Sequence, residues 1–287
     1  MRLMPLALVP ALLLLLLPPP SAAVHYPDNG DGTYSNPVMP NAHWSDPSVV
    51  RVGNLYYCVT SSIETTPSMQ ILVSADLVNW DVAGSVSRLW VDRDPSTGHA
   101  ITPNACWSPR IMFLRGKFRV MWTQAMHHFL IAEATTVAGP WTLVKHSLTG
   151  MSDFVFGAST FVDTDGKTYL LANNWIQQTD SAGLSFVGPR HVVANQSAVG
   201  IGMMENPSLI KRGDWYWWLE SDNGTVTWGL APDPNGGPRS TNNGALSAWR
   251  SRSITGPYEG PVRTRPCLCG ARSHCHSANA LVTLSRR

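Results

Sequence analysis

Charge is scarce in this chain. Lys and Arg number 21 against 19 Asp and Glu, giving a net charge of +2, and only 14% of the 287 residues carry a charge. Without a basic or acidic block, nothing points to nucleic acid or an acidic polymer as partner. No stretch after residue 23 is apolar and long enough to cross a bilayer. Long amphipathic periodicity is absent too, which argues against a parallel α/β enzyme. No Gly-x-Ser-x-Gly elbow occurs and no Ser-His-Asp arrangement is readable, so acyl-enzyme chemistry has no foothold. Cysteines are few and odd in number, five in all.

What is present in excess is a repeated pattern. Four segments read SDPSVVRVGNLYYCVT (45–60), WSPRIMFLRGKFRVMW (107–122), GASTFVDTDGKTYLLA (157–172) and ENPSLIKRGDWYWWLE (205–220). Aligned on Pro47, Pro109, Ala158 and Pro207, they recur at intervals of 62, 49 and 49 residues. Each runs from a short polar motif through an apolar strand and a polar turn into a second, aromatic strand. The turns at Val52-Gly53-Asn54, Arg115-Gly116-Lys117, Asp163–Gly166 and Arg212-Gly213-Asp214 fall at one place in every copy. Further strands are predicted over Met69–Ser74, His128–Ala134 and Leu246–Ser251. A hairpin-bearing period of this length predicts an all-β fold, a β-propeller of four-stranded blades.

Two copies carry a carboxylate at the start of the inner strand, Asp46 and Glu205. Strands starting at a propeller axis aim such acids into one central cavity, and a carboxylate pair there suits general acid and base work. The twelve tryptophans divide between blade cores and a surplus suited to stacking on sugar faces. Trp44 and Trp107, beside the first two inner motifs, are the candidates for the latter.

Residues 1–23 are expected to be a secretory signal. Arg2 supplies the n-region, Ala11–Leu17 the apolar core and Ser21-Ala22-Ala23 the cleavage site. An uncleaved anchor is the competing reading, disfavoured by length. Asn195-Gln-Ser and Asn223-Gly-Thr are glycosylation sequons. Cys58 and Cys106 are either a pair or two buried thiols. The run Asp28-Asn-Gly-Asp-Gly32 has the look of a calcium loop but lacks the downstream glutamate, so a turn is expected. His127 and His128, adjacent on a strand, face opposite ways and cannot readily share one ion. After Gly260 the pattern stops, and residues 261–287 are rich in Arg and Cys. Cys267, Cys269 and Cys275 with His274 and His276 fit no common zinc module, so no metal is assigned.

The motifs together resemble family 43 of the glycoside hydrolases. The resemblance rests on Gly30–Val38, Ser45–Ser48, Ser74–Trp80, Trp107–Pro109, Phe161–Lys167, Glu205–Leu209 and Arg250–Tyr258, in family order over roughly residues 30–259. It implies a five-bladed β-propeller, of which four blades are readable and the fifth is missing or incomplete. It further implies a secreted enzyme cleaving xylose- or arabinose-containing saccharides by inversion, with Asp46 as general base and Glu205 as general acid. A catalytically impaired carbohydrate-binding propeller is the alternative. No cofactor is implied; a calcium ion bound by some relatives has no legible ligand set here, and oligomeric state is open.

Two departures stand against that pattern. The family places a third acid, which tunes the general acid, where this chain has Gly157; Asp153 lies upstream but out of register. Arg110 stands where many members carry an acid. The expected division is signal peptide 1–23, propeller 24–260 and irregular tail 261–287. A coding sequence cut short or mis-spliced is preferred there to a genuine cysteine-rich tail.

Overall fold

The computed structural model describes residues 27–36, 38, 46–62, 68–87, 106–124, 128–146, 155, 157–193, 204–222 and 245–263. The signal-like segment, Trp44, His127, Asp153, both sequons and the Cys/His-rich stretch lie outside the described residues. Among the described residues there is no helix, and sixteen strands form four antiparallel sheets in simple meander order. Blade 1 holds β1 (Ser48–Val52), β2 (Leu55–Val59), β3 (Ser68–Ser74) and β4 (Asp81–Ser87). Blade 2 holds β5 (Cys106–Leu114), β6 (Lys117–Gln124), β7 (His128–Ala134) and β8 (Thr142–His146). Blade 3 holds β9 (Ser159–Val162), β10 (Thr168–Ala172), β11 (Trp175–Thr179) and β12 (Phe186–Val192). Blade 4 holds β13 (Met204–Arg212), β14 (Trp215–Asp222), β15 (Ala245–Ser251) and β16 (Glu259–Arg263). The last strand therefore runs three residues past the boundary expected at 260.

Each repeat of the sequence is the first hairpin of a blade, joined by the glycine turns already visible in the chain. The outer strands at β3, β7 and β15 also fall where alternation placed them. Edge strands carry proline, Pro189 in β12 and Pro261 in β16, where a missing N–H breaks no inner ladder.

Burial patterns reveal how the blades stack. Phe118–Gln124 of β6 and all of β10 are buried, because blades 2 and 3 have a neighbour on both faces. In β14, by contrast, Tyr216, Trp218 and Glu220 are buried while Trp215, Trp217 and Leu219 are only half-buried, the alternation of a sheet with one face packed on a core. Three apolar cores follow. Val59, Met69 and Ile71 meet Ile111, Val120 and Trp122 between blades 1 and 2. Met121, Phe129 and Ile131 meet Leu170 and Trp175 between blades 2 and 3. Tyr169, Leu171 and Ile176 meet Tyr216, Trp218 and Trp249 between blades 3 and 4. Among the described residues no comparable core joins blade 4 to blade 1. The outer face of blade 4 instead stacks the Arg250 guanidinium 4.5 Å from the Trp215 ring centre and 5.8 Å from that of Trp217. Trp218 packs between blades 3 and 4, whereas Trp215 and Trp217 lie under this cation.

Cys58 and Cys106 are both buried and unpaired with each other; burial pushes the Cys58 thiol up to about 12 and the Cys106 thiol higher still. The two-thiol reading is the one the fold adopts.

Polar contacts reinforce two of the interfaces. Arg119 of β6 donates to Glu133 on β7 and, 2.7 Å away, to the Ala182 carbonyl of blade 3. Between blades 3 and 4, Lys211 Nζ donates to Asp163 Oδ1 at 2.8 Å and Tyr216 OH donates to Asp163 Oδ2 at 2.5 Å. Burial raises the Asp163 carboxyl, but the Lys211 and Tyr216 hydrogen bonds outweigh it and leave it below 3.8. A depressed native value means the folded state gains stability as the group ionises. That gain is complete above the unfolded value of 3.8 and is lost as pH falls through the folded value. Asp163→Asn should cost about 1.5–3 kcal/mol at neutral pH, the usual worth of a hydrogen bond to a charged group. Melting temperatures of the two proteins should converge as pH drops below 3.8; a gap that persists unchanged at low pH would refute the charge account.

Candidate active site

The four inner strands share a backbone device that the sequence repeat conceals. The residue just before Pro47, Pro109, Ala158 and Pro207 is left-handed in every blade: Asp46 at φ 53°, Ser108 at 46°, Gly157 at 63° and Asn206 at 55°. Non-glycine residues in this region cost about 1–2 kcal/mol. Such strain collects where a site over-determines the backbone, so its recurrence at three residues, with Gly157 in the same conformation, marks the axial ends of β1, β5, β9 and β13 as the place to look.

Asp46 occupies one of these kinks. Its Oδ2 accepts from Ser61 Oγ at 2.6 Å, and its Oδ1 faces Asn206 Nδ2 at 3.5 Å. Ser61 lies just past β2 and in turn accepts from the Ser108 N–H at 2.8 Å. The adjacent Ser62 and Cys106 exchange both backbone hydrogen bonds, 2.9 and 3.1 Å, and so dock the end of blade 1's hairpin onto β5. Asp46 is thus held by blade 1, which in turn is tied to blade 2, and reached by blade 4.

Glu205 stands one residue before Asn206, on β13 opposite Ser221. It is not the positional counterpart of Asp46: the left-handed position in blade 4 belongs to Asn206, and Glu205 corresponds to Trp107, which faces Thr123 across β5 and β6. A bulge follows each of them, between Glu205 and Ser208 and between Trp107 and Arg110. Both expected acids and Trp107 therefore lie at the same end of the inner strands, and all three are half-buried. Bulges beside a site re-aim side chains that a regular strand would direct elsewhere.

Asn206 and Arg110 are the residues whose part the sequence did not reveal. Asn206 reads as an ordinary strand-start polar residue, yet it is 3% exposed and bridges blade 4 to Asp46. Arg110, 7% exposed, sends Nη2 to the Asn206 carbonyl at 2.7 Å and Nε toward the Gly157 carbonyl at 3.5 Å. The signal was there in Arg110 itself, a charge set at the start of an apolar strand. At Gly157 a Cβ would lie 1.8 Å from Asn206 Oδ1 and 2.8 Å from Asn206 Cα. A side chain at position 157 would thus collide with Asn206.

The family model described as "Glycosyl hydrolases family 43" matches residues 34–268. The chain belongs to this family. Its similarity to xylosidase/arabinosidase 43B of Humicola insolens is 26% identity over 266 residues, covering 85% of this chain and 44% of that protein. The β-xylosidase of Bacillus subtilis is 29% identical over 252 residues, covering 78% and 42%. Among solved structures, the xylan β-1,4-xylosidase of Bacillus halodurans superposes with a TM-score of 0.59 at 26% identity, over 78% of this chain and 42% of that one. A Bacillus subtilis arabinanase, 20% identical, superposes at 0.56 over 77% and 76%, which bears on the fold alone. The chain thus spans less than half the length of the two curated relatives. The propeller class expected from the repeat is the family 43 fold, here with four blades described.

The Asp28–Gly32 run forms a turn, with Asp28 Oδ1 accepting the Gly30 N–H at 2.8 Å and Asp31 Oδ1 the Thr33 N–H at 2.9 Å. His128 Nδ1 lies 2.9 Å from His146 Nε2 on the neighbouring strand. Among the described residues no three of His, Cys, Asp and Glu gather as a metal site.

Proposed function

We propose that this family 43 member is a secreted glycosidase that hydrolyses xylose- or arabinose-terminated saccharides with inversion. The observation carrying the reading is the link from Asp46 through Asn206 to the backbone of Glu205, which holds two carboxylates at one end of the inner strands. Consecutive Cα atoms are about 3.8 Å apart, so whatever fixes Asn206 also fixes the Glu205 backbone. In this reading Asp46 takes a proton from water attacking the anomeric carbon, and Glu205 delivers one to the departing oxygen. Ser61, donating to Asp46 Oδ2, orients the base. Trp107, half-buried at the same end, supplies a ring on which a sugar face stacks. The names of the relatives, a xylosidase/arabinosidase and a β-xylosidase, support the sugar class, and the pattern of residues 1–23 supports secretion.

The initial product settles the stereochemistry. Hydrolysis of an aryl β-xyloside followed by proton NMR should yield α-xylose first, with the β anomer appearing only by mutarotation; β-xylose first would overturn inversion. Gly157 in place of the third acid favours the binding-propeller alternative. A folded sample that turns over neither aryl xyloside nor aryl arabinofuranoside, yet binds xylo-oligosaccharide by calorimetry, would establish it.

A further inference from the structure

We infer that Arg110 is the positioning residue of this site: by gripping the Asn206 carbonyl it sets the Glu205 backbone, replacing with a main-chain restraint the orienting carboxylate that Gly157 lacks. The inference rests on the glycosidase reading of Asp46 and Glu205 and extends it. Arg110 ties together the strand starts of three blades. It stems from β5 in blade 2, donates to Asn206 O in blade 4 at 2.7 Å, and approaches Gly157 O in blade 3 at 3.5 Å. Blade 1 enters through charge. Burial pulls the guanidinium down to about 10, and the Asp46 carboxylate opposes that fall.

A buried cation is costly unless its donors are satisfied. Here its hydrogen bonds are directed onto carbonyls rather than onto a carboxylate, so the cation fixes backbone positions. A planar fork suits two separated carbonyls as an ammonium does not. Glycine at 157 completes the arrangement. Any Cβ there would strike Asn206 Oδ1 and push out the side chain that reaches Asp46. Arg110, Gly157 and Asn206 therefore form one unit, in which the two departures from the family pattern are complementary.

The test is Arg110→Met and Arg110→Lys, each read by steady-state kinetics on aryl β-xyloside and by the backbone amide resonances of Glu205 and Ser208. Methionine keeps the apolar stem and has no donor; lysine keeps the charge but offers a single ammonium nitrogen in place of the planar fork. Misplacing a catalytic group should lower kcat roughly 10- to 100-fold in Arg110→Met while KM moves little, with Arg110→Lys intermediate and the amide resonances displaced. A merely structural arginine would alter melting temperature and leave the kcat of the folded fraction and both amides where they were, which would overturn the inference. Should the wild-type protein show no turnover, the glycosidase reading fails for that substrate. The amide resonances then decide alone: displaced they support Arg110 as the backbone restraint, unmoved they refute it.

Discussion

Asp46→Asn and Glu205→Gln should each lower hydrolysis by about 10²–10⁴-fold, the usual contribution of a positioned acid or base, and should differ in how the loss depends on the leaving group. An aryl group departs as a stabilised phenolate and needs little proton assistance. A sugar hydroxyl departs poorly without a proton. Glu205→Gln should therefore lie near the small end of that range on an aryl xyloside and near the large end on xylobiose. With Asp46 as the proposed base, Asp46→Asn should remove activation of the attacking water, which both substrates need equally, so its loss should be nearly the same on each. Parallel assays on the two substrates check this directly. A Glu205→Gln protein that handles xylobiose like wild type would remove Glu205 from the acid's role, and an active Asp46→Asn would do the same for the base. Neither change adds bulk, and both keep hydrogen-bonding capacity, so Asp46→Asn can still accept from Ser61 Oγ and folding should be preserved.

The second large effect is on stability. Trp218 is fully buried between blades 3 and 4 and packs with Tyr169, Leu171, Ile176 and Trp249. Its indole N–H donates to Glu220 Oε2 at 2.8 Å, and Glu220 is itself fully buried. Truncation to alanine opens a cavity and strips one hydrogen bond from a buried carboxylate. The cavity alone should cost about 3–5 kcal/mol. Spread over a protein of this size, that lowers the melting temperature by roughly 6–20 °C. Trp215→Ala, on the half-buried outer face under Arg250, should cost far less. Thermal melts of the two variants separate these cases, and equal losses would contradict the one-sided packing of β14. Blade 4 also carries Glu205 and Asn206, so loosening its seat on blade 3 should reduce hydrolysis before it unfolds the protein.

Much of this architecture was legible in the chain. Inner strands, their glycine turns and most third strands follow from local pattern, because a strand records in its own alternation which face meets a core. The recurrence of Pro47, Pro109, Ala158 and Pro207 placed four blades in order, and the match of motifs to family 43 followed. Asp46 and Glu205 stood out because a carboxylate beside a repeated strand start is visible without coordinates.

Other features required the fold. That Trp215 and Trp218, three residues apart on one strand, meet a guanidinium and a buried core respectively depends on which blade lies next to each face. That Cys58 and Cys106 are two separate buried thiols is not encoded in their spacing along the chain. Above all, the left-handed turn shared by Asp46, Ser108, Gly157 and Asn206 is a property of the backbone, carried by four different residue types. The sequence by itself determined the repeat, the strand order and the pair of acids, since each is written in contiguous residues. Only the tertiary structure decided that Asn206 spans to Asp46, that Arg110 binds it from another blade, and that Gly157 leaves room for both. Those contacts join residues 47 to 160 positions apart, and at such separations partners are chosen by packing geometry, not by local pattern.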